Sequence, residues 1–170
     1  NKRGGAEPTI LFSTPIFSTA ATFYGGFDVV VSSDEENATG HLLAVRLASA
    51  TLEHEAAVLL QSRGITHLAL PLWDPMLDEL VRVGANVSAG QPLPQNTVAV
   101  AWPQWEIPLW MGAMNYVVPR ETGLQGFDLR VFALQAEQEP DLALSRLTDF
   151  FLERGLLQEA RAVAEALEAY

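Results

Sequence analysis

Cysteine is absent from all 170 residues. That absence removes a disulfide framework, a thiolate nucleophile and a zinc-thiolate site together. It leaves the compartment open, because a domain of this size folds without disulfides. Basic residues are scarce as well: ten Lys and Arg stand against 21 Asp and Glu, a net charge of −11. The ten are scattered rather than clustered, which excludes nucleic acid as a partner and disfavours anionic headgroups. No apolar run approaches the roughly 18 residues that cross a bilayer, so no direct membrane span is expected, and the polar opening 1–8 is not a signal peptide. Gly25-Gly26 fits neither the dinucleotide fingerprint nor the phosphate loop, so neither nucleotide nor any other cofactor is expected.

Catalytic machinery is missing in the same way. Ser13 and Ser18 lack a nucleophile-elbow context. His41, His54 and His67 have no partners at metal-ligand spacing. No catalytic residue and no metal ligand is assigned.

What is present is apolar. Hydrophobic residues make up 49% of the chain and charged ones 18%, against about 25% charged in an ordinary soluble domain. Some apolar surface is therefore expected to meet a partner or a membrane boundary. The length supports one core, with room for a small appendage. The opening, without methionine, reads as the start of an excised piece whose upstream sequence would hold any anchor.

Five runs read as strands: 9–13, 28–32, 66–71, 97–102 and 129–134. Val29, Val30 and Val31 form a β-branched run of the kind buried between helices in parallel sheets. A helix is predicted over 53–63, with Ala56, Leu59 and Leu60 on one face and Gly64 as its stop. Asp74 and Pro75 read as the cap and first turn of another, running through Val83 to Gly84. The fold class is thus α/β: a three-layer, mostly parallel, Rossmann-like sheet with a C-terminal helical hairpin. The α/β domain takes 1–135, including a Trp- and Pro-rich excursion at 91–120, and the hairpin takes 136–170. In that hairpin, helices over 140–154 and 157–169 flank Gly155; Leu147, Phe151, Gly155 and Ala160 resemble the large, aromatic, glycine and small positions of one tetratricopeptide unit.

In such sheets ligands favour the crevice beyond the carboxyl ends of the parallel strands. Ser13 and Thr14 follow the first strand, Glu36 and Asn37 the second, Trp73 and Asp74 the third. Hydroxyls, carboxylates and an amide would hold a polar ligand there, with Trp73 as a stacking wall. Equally, Asn37 and Asp74 read as helix caps and Asp34, Glu35 and Glu36 as a solvated acidic turn. Trp102, Trp105 and Trp110, in a stretch reaching Tyr116, read either as an interface wall or as a roof of satellite core. Leu144 and Phe151 are interface candidates on the hairpin.

The order of five segments resembles the soluble extracytoplasmic C-terminal region of bacterial polytopic membrane proteins similar to GT-C glycosyltransferases, the class that includes oligosaccharyltransferases and protein mannosyltransferases. Phe23-Tyr24-Gly25-Gly26 precedes the second strand; Glu36-Asn37 with Gly40 resembles a Glu-Asn-x-x-Gly element. Arg63-Gly64-Ile65-Thr66-His67 leads into the third strand, Trp73-Asp74 follows it, and Trp105-Glu106-Ile107-Pro108 comes later. One departure is Glu35, where an aromatic would precede Glu36. The resemblance implies a periplasmic domain tethered to the inner membrane through the transmembrane part of the same chain. It implies that chemistry lies in membrane loops outside these residues, with a polyprenyl-phosphate sugar donor. This domain would then cover the active site or position a protein or glycan acceptor. The alternatives are an interaction module built on the hairpin and a small-ligand-binding α/β domain using the crevice.

Overall fold

Three apolar runs become parallel neighbours in a computed structural model that describes residues 8–115, 128–135 and 138–169. They are β1 (Ile10–Phe12), β2 (Asp28–Val29) and β3 (His67–Pro71). Two later strands, β4 (Met111–Ala113) and β5 (Leu129–Leu134), complete a sheet of order β2-β1-β3-β5-β4. β1 pairs in parallel with β2 and β3, whereas β5 is antiparallel to both β3 and β4, so four of the five strands run one way.

The helices are α1 (Pro15–Gly25), α2 (Ala38–Ser49), α3 (Glu53–Gln61), α4 (Met76–Ala85), α5 (Val98–Ala101), α6 (Pro140–Glu153) and α7 (Leu157–Glu168). The chain steps outward from β1 to β2 through α1, then back past β1 to β3 through α2 and α3. Right-handed crossovers put these two connections on opposite faces, which makes the α/β fold three-layered. Phe12, Leu68 and Phe132 are register partners across three strands and share one buried face. They pack with Leu43 and Leu47 of α2, Leu80 and Val81 of α4, and Val98 and Trp102.

Several expected elements differ. Residues 97–102 form not a strand but α5 and the start of a 3-10 turn, Trp102–Gln104. The alternation Val98-Ala99-Val100-Ala101 suits either conformation, and here the Ala101 N–H donates to Thr97 O at 2.8 Å while Val98, Ala99 and Ala101 are buried. The second strand is short, Asp28–Val29, and lies at the sheet edge, so Val29 and Val30 are half-buried and only Val31 is enclosed. Helix α1 and strand β4 were not foreseen, and of α2 only the cap at Asn37 was among the readings.

The helix after β3 runs past Gly84 and ends at Asn86, whose left-handed φ of 53° supplies the cap. Gly84 has another reason to be glycine. An added Cβ would strike the Ser49 side chain and lie 2.8 Å from Val45 O, so the backbones of α2 and α4 touch here. Alanine favours helix by about 1 kcal/mol, yet Gly84→Ala is expected to cost about 1–3 kcal/mol net through overpacking. A lowered urea midpoint checks this.

Where β3 begins, the Thr66 hydroxyl accepts the Ile10 N–H at 2.9 Å. Its own proton goes to His67 Nδ1 at 2.9 Å or to Ile10 O at 3.2 Å. Donation to Nδ1 requires a neutral imidazole, and burial lowers the His67 pKa from 6.5. The unfolded chain therefore binds more protons just below that pH. This contribution to stability is complete above 6.5 and is lost as pH falls from there toward the folded pKa. Urea titrations over that range should show a decline that His67→Gln flattens.

Candidate functional site

The loops after β1, β2 and β3 share one edge of the sheet, because the three strands are parallel. The structure brings the first and third together directly: Thr14 Oγ1 donates to Asp74 Oδ2 at 2.5 Å. Ser13 beside it is fully buried and donates to Ala69 O at 2.5 Å. Asp74 Oδ1 accepts the Met76 N–H at 3.0 Å and so caps the start of α4. The second loop joins through α1, where Thr19 Oγ1 accepts the Ser33 N–H at 2.9 Å.

Asn37 caps α2. Its Oδ1 accepts from Gly40 N at 3.0 Å, and its Nδ2 donates to Val30 O and Ser32 Oγ, each at 3.2 Å. A Cβ on Gly40 would collide with that amide and with Val30 O, which fixes both ends of the Glu-Asn-x-x-Gly element sterically. Glu36 is exposed in the acidic turn, its N–H bonded to Asp34 Oδ1 at 3.0 Å. Trp73 is 42% exposed and meets Phe17 of α1 edge to face at 6.4 Å. Among the described residues no group of three His, Asp or Glu side chains is placed to hold a metal ion.

The tryptophans of the excursion lie elsewhere. Trp102 is buried and meets Trp110 edge to face at 5.8 Å, and the Trp110 indole N–H donates to Glu53 Oε1 at 2.8 Å. Trp105, at a left-handed φ of 71°, contacts Phe132 of the sheet and Phe150 and Phe151 of α6, with ring centroids 6.1, 5.0 and 5.2 Å away. Arg130 lies over its ring at 4.5 Å. Phe151 is buried, and half-buried Leu144 lines a cleft of about 220 Å³ with Ile107, Met111 and Leu147. These aromatic contacts join the hairpin to the sheet. Tyr116 lies outside the described residues.

No family model matches the chain, and no curated protein matches it. Its fold is similar to a solved one. That structure is the C-terminal globular domain of an oligosaccharyltransferase from Archaeoglobus fulgidus, with a TM-score of 0.48 and 10% identity over 79% of this chain and 90% of that one.

Sequence reasoning missed the outer face of α1. Ile16, Phe23, Tyr24 and Phe27 are 63%, 80%, 85% and 44% exposed, while the same helix buries Pro15 and Ser18. The signal was available: residues 15–27 contain no charge, and 16, 20, 23, 24 and 27 fall at helical spacing. Periodicity alone, however, assigns such a stripe to the core.

The polar groups at the strand ends hold the fold. Asn37→Ala should therefore cost about 0.5–2 kcal/mol as a lost cap. Asp74→Ala should cost about 1.5–3 kcal/mol through the charge-assisted bond to Thr14. Glu36→Ala should leave the urea midpoint within about 0.5 kcal/mol of the parent.

Proposed function

We propose that the chain is a non-catalytic, extracytoplasmic accessory domain of a membrane protein resembling the GT-C glycosyltransferases, acting with the transmembrane part of the same chain to position an acceptor. The observation that carries this reading is what the five resembling segments do. Gly25 lies under the Phe27 ring at the end of α1, and Asn37 and Gly40 form the start of α2. Gly64, at a φ of 60°, ends the α3 turn, and Thr66 ties β3 to β1. Asp74 joins two loops, and Trp105 joins sheet to hairpin.

Asn37, Gly40, Gly64, Thr66, Asp74 and Trp105 in these segments are thus fold hardware, their steric and bonding roles filled within the chain. A domain whose distinguishing residues build shape rather than chemistry suits a positioning role beside an active site held elsewhere. No helix among the described residues is long and apolar enough to cross a membrane; on this reading the span and the chemistry belong to other parts of such a protein.

The test is topological. Alkaline phosphatase fused after Tyr170 of the full-length gene product should be active in intact cells, and green fluorescent protein at the same point should be dark. The opposite pair of signals would place the domain on the cytoplasmic side and end this reading.

A further inference from the structure

Helix α1 is amphipathic in the inverse sense. Its inward face offers Ser18, buried and with no hydrogen-bond partner for its hydroxyl among the described residues, and the small Ala21. Its outward face offers Ile16, Phe23 and Tyr24, extended by Phe27 just beyond the helix end. Phe23 and Tyr24 pack on one another at 4.9 Å and are otherwise 80% and 85% exposed. Single exposed apolar residues are ordinary, but a contiguous stripe on a charge-free helix marks a contact surface.

The charges beside that stripe select its occupant. Asp34, Glu35 and Glu36 lie at the Ile16 end, where the loop after β2 shares the sheet edge with the start of α1, Asp28 follows Phe27 at the other end, and segment 13–37 carries no Lys or Arg. The acidic turn is held against α1 by the Thr19 to Ser33 bond. An anionic leaflet would be repelled, and helices that lie in the bilayer interface carry the Lys and Arg that α1 lacks. A second copy would bring an equal set of carboxylates to the same contact.

We propose that the outward face of α1 docks a protein segment whose large apolar side chains recur at helical spacing and are flanked by Lys or Arg. The rings supply the contact area and the carboxylate rim supplies orientation and partner choice. This goes beyond the accessory role argued above and does not rest on it.

The test uses the 170-residue chain with two labelled helical peptides of identical Leu spacing, one filled with Lys and one with Glu. The Leu/Lys peptide should bind at least about tenfold more tightly than the Leu/Glu peptide. Phe23→Ser/Tyr24→Ser should weaken that binding by about tenfold, while Leu152→Ser/Leu157→Ser, at exposed positions on the hairpin, should change it by less than about twofold. Ile16→Ser, scored in the same way, guards against a misfolded double variant. Leu/Lys binding indifferent to all the α1 substitutions would reduce the contact to bulk charge and overturn the proposal. So would neutral or anionic vesicles captured through Phe23 and Tyr24, or a dimer in sedimentation that those substitutions dissolve.

Discussion

The backbone ladder of β3 is the constraint on which the molecule depends. It is parallel to β1 on one side, at His67 and Leu68, and antiparallel to β5 on the other, over the full register from His67 to Pro71. A strand in that position has no solvated side, so Leu68, Ala69, Leu70 and Pro71 are all buried. The ladder fixes where the chain enters and leaves. Thr66 is locked to Ile10 at one end, and at the other Leu72 donates to Asp128 O at 3.0 Å before the chain turns through Asp74 into α4.

From that strand outward, the core divides between a region ordered by close backbone approach and a region ordered by rings. In the first, the small residues Gly84 and Ser49 let α2 and α4 meet at backbone distance. In the second, Trp105 fills the space between Phe132 and the Phe150-Phe151 pair, and Arg130 covers its ring. The Trp- and Pro-rich excursion is therefore the mortar between sheet and hairpin, which explains why large rings occur in a segment short of regular structure.

Legibility in the sequence followed the physics of each element. β1 and β3 could be read because continuous apolar runs bounded by polar residues leave few alternatives, β5 because its run is broken only by Arg130, and α3 and the hairpin because Gly64 and Gly155 mark their ends with left-handed turns at φ 60° and 71°. Residues 97–102 misled because four alternating small and β-branched residues fit two periods, and only packing on α2 decides between them. Helix α1 was missed for the opposite reason. Sequence patterns presume that apolar faces turn inward, and this one turns outward. The convergence of Thr14 with Asp74 was legible from topology, but that the pair satisfies itself required coordinates.

The ends of the sheet bear on how the molecule associates. Its border strands are two and three residues long, Asp28–Val29 and Met111–Ala113. Ladders so brief offer hardly any free main-chain donors and acceptors to an incoming chain, so they resist the edge-to-edge pairing that drives aggregation. A contact with another macromolecule would then be made by side-chain relief on the helices, where shape and charge discriminate among sequences in a way that backbone pairing cannot.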